Sequence, residues 1–403
     1  MNRRPVDRSS GYPWLVVAVA TVAQAATAFA FLGVGALAGF FQEEFRLSGV
    51  QTGLIVTAVG LVPLFALIPV GRLLDRYGER GIVSGGALLL AAGVGAAALA
   101  PSYPWLLLLL LVGGAGYATS QPGGSKAVAG WFAVRHRGMA MAIRQTGLPL
   151  GGAAAAAALP ALAAGSGWQP ALVTAAAVTA LGGILFFVVY RQARAGDGED
   201  YRLSARLGGL LADRQMRPVL WAGLVMVSTQ FCIISYLMLF LRDAHDLPLT
   251  RGAWFLFATQ LAGVAGRVVL GAWSDRLGPG RRMWAVEVSL VVTAACAFVL
   301  PLLPGGASYG GLTVLSVVLG FFAFGWYGPW VVRVTEVAPG GAVGLTLALA
   351  MTTNQLGIIG APPLFGLVLD RSGTYLLPWW LLALAMAAGA LRVGVGLRRG
   401  KTP

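Results

Sequence analysis

Twelve apolar runs divide this chain, at about 13–41, 50–70, 82–101, 104–131, 138–164, 168–190, 218–241, 251–271, 283–303, 308–333, 344–369 and 375–397. A helix that spans a bilayer needs about 20 mostly apolar residues, and each run supplies them. Inside lipid every backbone N–H and C=O must be satisfied within its own segment, so runs of this length can only be helices. The chain therefore reads as an all-α membrane protein with twelve transmembrane helices, in two pseudo-repeated bundles of six. Its charge content excludes a soluble domain: 11% of 403 residues are Asp, Glu, Lys or Arg, where a soluble protein carries about a quarter. Runs 138–164 and 344–369 are rich in Gly and Pro, which predicts bent or tilted helices.

The net charge of +14 would suit nucleic acid, but the cations are not gathered on one face or in one segment, so that partner is excluded. They sit at the ends of spans. If both termini share a side, that side holds Arg3, Arg4, Arg8, Arg72, Arg76, Arg80, Arg135, Arg137, Arg191, Arg276, Arg281, Arg282, Arg333, Arg398, Arg399 and Lys401, among others. Only Arg46, Arg242, Arg251 and Arg371 flank the other side. The positive-inside rule then makes both termini cytoplasmic, in a bacterial inner (plasma) membrane.

The expected organisation is a first bundle over 1–190, a cytoplasmic linker over 191–217 and a second bundle over 218–403. The linker mixes Gly and Arg with Asp197, Glu199, Asp200 and Asp213. Arg202 to Leu211 within it reads as a surface helix with Arg on its polar face. The first run is too long for a signal peptide and stays as helix one. Cys232 and Cys296 fall inside spans, as small apolar fillers rather than a disulfide or a metal site.

Between the second and third runs stands Gly71-Arg72-Leu73-Leu74-Asp75-Arg76-Tyr77-Gly78, and 200 residues on it returns, degraded, as Gly271-Ala272-Trp273-Ser274-Asp275-Arg276-Leu277-Gly278. A charged hairpin repeated half a chain later points to duplicated halves, and in a membrane protein duplicated halves point to a transporter. Glycines allow close helix approach. Asp75 and Asp275 can accept from a helix N-terminus or pair with an Arg, and Arg76 and Arg276 can bridge to an acid. Gly71, Asp75, Arg76, Gly78, Gly271, Asp275 and Arg276 are therefore expected to form a gate that locks in one state and releases in the other.

Six and six spans, with Gly-x-Leu-x-Asp-Arg-x-Gly after the second and its echo after the eighth, resemble the major facilitator superfamily over essentially the whole chain. Gly114-Ala115-Gly116-Tyr117-Ala118, Pro122, Lys126, Trp131-Phe132 and Arg137-Gly138-Met139-Ala140 look like the fourth-to-fifth helix region of its small-anion branches. Those branches include the monocarboxylate, oxalate–formate, cyanate and nitrate/nitrite carriers. Gly266-Arg267-Val268-Val269-Leu270-Gly271 looks like the helix-eight stretch in which an arginine grips a substrate carboxylate. The resemblance implies the major facilitator fold and alternating-access transport.

Lys126, Arg144, Arg267 and Glu287 lie well inside predicted spans. A charge there is costly and needs a partner, a water path or a substrate. Arg267 is eight residues from Asp275, about 12 Å up a helix, and its planar fork suits a carboxylate. Arg144 either faces it as a second cation or pairs with a gate acid. Lys126 can snorkel toward the nearer surface, so substrate, gate and structure all stay open for it. Glu287, close to Arg282, reads as an Arg-paired structural acid. Gln24, Gln121, Gln230, Gln260, Asn354 and Gln355 supply further polar groups. By resemblance to the oxalate–formate branch, Tyr117, Trp326, Tyr327 and Trp330 would box a flat anion.

Two departures from those branches narrow the cargo. The helix-eleven lysine of the oxalate–formate carrier is replaced by Thr352-Thr353-Asn354-Gln355, which favours a monoanion. The acid that precedes the monocarboxylate carriers' arginine is replaced by Gly263, which favours uniport or exchange over proton symport. No nucleophile–base pair, metal cluster or nucleotide loop is present in the sequence, so neither catalysis nor a cofactor is expected. The resulting expectation is a monomeric carrier of small organic anions, above all monocarboxylates, embedded in lipid. An inorganic-anion carrier and an exporter of hydrophobic compounds are the alternatives on the same fold.

Overall fold

In a computed structural model of the chain, residues 11–132, 134–192, 213–278, 281–338 and 343–399 are described. The expected linker helix at 202–211 and the cations Arg3, Arg4, Arg8 and Lys401 lie outside them. The first segment runs through α1 (Tyr12–Ala36), α2 (Ala38–Phe45), α3 (Gly49–Tyr77), α4 (Glu79–Ala97), α5 (Tyr103–Tyr117), α6 (Ser120–Trp131), α7 (Val134–Gln145), α8 (Gly147–Ser166) and α9 (Trp168–Val189). The second runs through α10 (Met216–His245), α11 (Leu249–Leu277), α12 (Met283–Val299), α13 (Tyr309–Gly325), α14 (Tyr327–Glu336), α15 (Val343–Ser372) and α16 (Leu376–Arg399).

Among the described residues, 11 stretches are long and apolar enough to cross a membrane. Twelve were expected, and the remaining run is α15. It is 30 residues long, but Thr352-Thr353-Asn354-Gln355 dilutes its apolar character. Four of the apolar runs are broken rather than continuous: α1 from α2, α5 from α6, α7 from α8 and α13 from α14. The bend expected in 138–164 thus appears as a break at Thr146, whereas α15 continues through Pro362 and Pro363. Leu181, Val188 and Leu384 stand exposed. In water that surface would aggregate, while lipid tails match it.

The charged hairpins turn on their final glycines. Gly78 has φ +78° and Gly278 φ +76°, a region that costs a side chain energy and costs glycine none. Each ends one long helix, and at Gly78 the next helix begins at once.

The two segments meet along α3–α15, α8–α11 and α1–α10. The α3–α15 crossing is backbone on backbone: a Cβ on Gly53 would stand 2.5 Å from Pro362 and Pro363. Close approach through small residues is how helices associate when lipid removes the hydrophobic drive between them.

Candidate functional site

The helix breaks create the site. Where α7 stops, the Gln145 carbonyl lacks its usual partner four residues on, because that residue is Pro149 and has no N–H. Arg267 of α11 crosses from the other segment and donates Nη1–H to this carbonyl at 2.7 Å. The break between α13 and α14 likewise leaves carbonyls short of donors. Arg267 donates Nε–H to Phe324 there (3.1 Å), and the Gln230 amide donates to Ala323 (2.7 Å). The Arg267 guanidinium also lies over the Tyr327 ring, 5.2 Å from its centroid.

Arg144 is 0% exposed. It donates to Ser125 Oγ (3.1 Å), Gln121 Oε1 (3.3 Å) and the carbonyls of Ser120 (3.0 Å) and Gln121 (3.2 Å). The guanidinium lies flat on the α6 backbone, 2.6 Å from where a Cβ on Gly124 would stand, so only glycine fits below it. Tyr117 stacks on Phe31 at 3.9 Å and 10°. Tyr117 and Tyr327 lie within electrostatic reach of both arginines. Gln24 completes this side by donating to the Gln145 side chain at 3.2 Å.

Neither arginine pairs with an acid among the described residues. The bonds they make go to backbone carbonyls, the Gln121 amide and one hydroxyl, which orient a guanidinium without neutralising it, and Arg144 Nε is buried with no partner among the described residues. Two cations desolvated in this way, one from each segment, raise a positive potential that an anion would relieve.

The expected site residues separate into groups. Arg144, Arg267, Tyr117, Tyr327, Gln24 and Gln230 come together at mid-span. Trp326 is fully buried beside Tyr327. Trp330 also touches Tyr327, but its indole N–H is taken by the Val219 carbonyl at 2.7 Å. Asn354 is buried against Gly223 of α10, where the Trp330 ring also packs. Lys126 is elsewhere: Nζ contacts Asp75 at 2.6 Å, the Leu74 carbonyl at 3.1 Å and Glu79 at 3.5 Å. It belongs to the charged hairpin and not to the arginine pair. Glu287 packs against Gly394.

The two ends of the molecule differ. At the end bearing Asp75 and Asp275, the ion pairs among the described residues stay within their own segments: Asp75–Lys126 on one side, Asp275–Arg282 and Arg282–Glu336 on the other. A Cβ added to Gly71 or Gly271 would meet nothing within 4 Å. Arg76 and Arg276 are exposed. At the opposite end the segments are tied together. Asp370 accepts from the Gly49 and Val50 N–H groups at 2.6 and 2.9 Å, the first donors of α3. The Tyr236 hydroxyl stands 2.8 Å from the carbonyls of both Gly49 and Pro362, and donates to one or the other. Arg242 reaches Glu43 (3.0 Å) and Gln42 (2.9 Å). Sequence reasoning missed this closure, although Asp370-Arg371-Ser372-Gly373 repeats the Asp-Arg-x-Gly pattern and Gly373 has φ +66°.

The Major Facilitator Superfamily model matches residues 18–362, most of the chain. The chain belongs to that superfamily. An uncharacterised MFS-type transporter of Mycobacterium tuberculosis is 28% identical, over 98% of this chain and 88% of its own. The 3-(3-hydroxy-phenyl)propionate transporter of Escherichia coli is 27% identical, over 81% of this chain and 79% of its own. Among solved structures, a bacterial homologue of the human lysosomal transporter Spinster, inward-facing and occupied, superposes with a TM-score of 0.76 at 17% identity. That match covers 97% of this chain and 96% of the other and shows the shared fold. The protein is thus an all-helical membrane transporter, and its superfamily and relatives are carriers, not catalysts.

Proposed function

We propose that the chain is a secondary transporter of small organic anions, above all monocarboxylates, working by rocker-switch alternating access. The observation that carries this reading is the pair of mid-span arginines, Arg144 and Arg267, without an acidic partner among the described residues. A carboxylate would meet Arg267 as a bidentate partner and take part of its contact with the Gln145 carbonyl. Arg144, Tyr117, Tyr327, Trp326, Gln24 and Gln230 would line the space around it. Lys126 serves the gate through Asp75. The Escherichia coli relative, a hydroxyphenylpropionate transporter by name, agrees with an organic-acid cargo.

In this reading the chain has twelve spans, with α15 as the eleventh, in bundles 1–190 and 218–403 joined by a linker over 191–217. It acts as a monomer in a bacterial plasma membrane, with both termini cytoplasmic. The Asp75 end then faces the cytoplasm, so the conformation is open inward and closed outward at Asp370. Uniport or exchange is favoured over proton symport, because no carboxyl group among the described residues pairs with the arginines to carry the proton.

Counterflow in proteoliposomes tests this. Internal unlabelled carboxylate should drive uptake of labelled carboxylate in the wild type. Arg267→Gln should abolish it with the protein still inserted and monodisperse, and Arg267→Lys should restore only part, since a point charge lacks the fork. Wild-type counterflow in Arg267→Gln would reject the site.

A further inference from the structure

Beside Arg267, between the two segments, lies a small cavity bordered by Leu32, Phe231, Ile234, Phe324, Gln260 and Arg267. Its volume of about 20 Å³ is enough for one water-sized group. The wall is apolar except at Arg267, Gln260 and Gln230. The Gln230 amide N–H is already committed to the Ala323 carbonyl at 2.7 Å. Gln260 is the exception: it is 1% exposed, and its Oε1 has no hydrogen-bond partner among the described residues.

An unpaired buried carbonyl is unusual, because leaving it unmade forfeits its hydrogen bond to water. Here the amide is also held in place. A Cβ on Gly152 of α8 would stand 2.5 Å from Gln260 Nε2, so the amide lies against the facing helix with no room for a bulkier neighbour. Gln260 and Arg267 are seven residues apart on α11, two turns, which puts them on one face of that helix.

We infer that Gln260 is a subsite that reads a hydroxyl group on the transported anion. This rests on the reading of Arg267 as the carboxylate ligand. With the carboxylate on Arg267, a hydroxyl a few bonds away enters the cavity and donates to Oε1. A methyl or methylene group there would fit the volume but leave the carbonyl unsatisfied. The favoured cargo is therefore a short hydroxylated carboxylate over its deoxy analogue. Discrimination through a buried polar group is stronger than discrimination by shape alone, because the wrong ligand strands that group.

The test is competition for carboxylate binding by matched pairs: glycolate against acetate, 3-hydroxybutyrate against butyrate, 4-hydroxybutyrate against butyrate. Detergent-purified full-length wild type, Gln260→Met and Arg267→Gln are compared, each first checked for ligand-free thermal stability and monodispersity. The wild type should bind at least one hydroxylated member about tenfold or more tightly than its deoxy partner. Gln260→Met should remove that preference while binding deoxy acids as well as the wild type does. Arg267→Gln should lose both members of each pair. Should Gln260→Met fail to accumulate, Gln260→Asn withdraws the acceptor by one methylene and is read the same way. Equal wild-type affinity within every pair, or a preference that survives in the Gln260 variant, overturns the subsite. Carboxylate binding retained in Arg267→Gln overturns instead the functional reading beneath it.

Discussion

The Asp-Arg-x-Gly turn at 75–78 and the one at 370–373 have the same four-residue pattern, each with its glycine at positive φ. Their acids do different work. Asp75 is 72% exposed at its side chain and pairs with Lys126 of its own segment. Asp370 spans the two segments and holds the first two N–H groups of α3. The difference lies in what faces each acid. Asp370 meets a helix N-terminus, whose unpaired donors and dipole favour an anion. Asp75 meets a lysine that solvent also reaches. The motif therefore ties the two segments together at one end and not, among the described residues, at the other, and in the proposed rocking cycle that asymmetry would have to reverse.

The largest expected effect comes from prying the closed end apart. A Cβ on Gly366 would collide with the Gly49 backbone, so Gly366→Leu should overpack the α3–α15 crossing and cut transport by about a hundredfold. Uptake assays with a surface-abundance control measure it. Asp370→Asn removes two charge-assisted bonds, each worth about 1.5–3 kcal/mol. It should shift the balance toward opening at that end by about tenfold or more. Thr57, which donates to the Ile359 carbonyl across the crossing (2.6 Å), reports this as Thr57→Cys: an impermeant maleimide should label it faster in the Asp370→Asn background.

Arg242→Gln should act in the same direction but weakly. Its pairs with Glu43 and Asp243 are at a solvated rim, where an ion pair is worth about 0–1 kcal/mol and fades with salt. Asp75→Asn should barely change labelling at its own end, because its ion pair stays within one segment. Its effect should fall on the return rate, as the half-cycle in which that end must close. Equal labelling changes from Asp75→Asn and Asp370→Asn would erase the contrast between the ends.

Much of this architecture was readable in the residues. Runs such as 218–241 became helices because nothing but a helix satisfies their backbone in lipid. Arg144 and Arg267 stood out because a buried guanidinium always needs an explanation. The partners of those arginines were less legible. Four of them are backbone carbonyls, those of Gln145 and Phe324 at helix breaks and those of Ser120 and Gln121 in the first turn of α6, and a carbonyl carries no residue type. Pro149 was the available clue to the Gln145 carbonyl. The Lys126–Asp75 contact joins positions 51 apart, and Phe31 meets Tyr117 from another helix. Neither is encoded in local periodicity. Asp370 was in plain view as a third Asp-Arg-x-Gly, but it lies among few charges at an end where the positive-inside rule directs no attention.

The most direct test is whether an anion occupies the space between the two arginines. Thermal-shift titration of wild type, Arg144→Gln and Arg267→Gln against small carboxylates, inorganic anions and lipophilic amines measures this, since a ligand bound only to the folded state raises the melting temperature with its concentration. Stabilisation by carboxylates in the wild type, weakened in Arg144→Gln and absent in Arg267→Gln, is the expected result. Stabilisation by lipophilic amines alone, or by carboxylates equally in all three proteins, would contradict it.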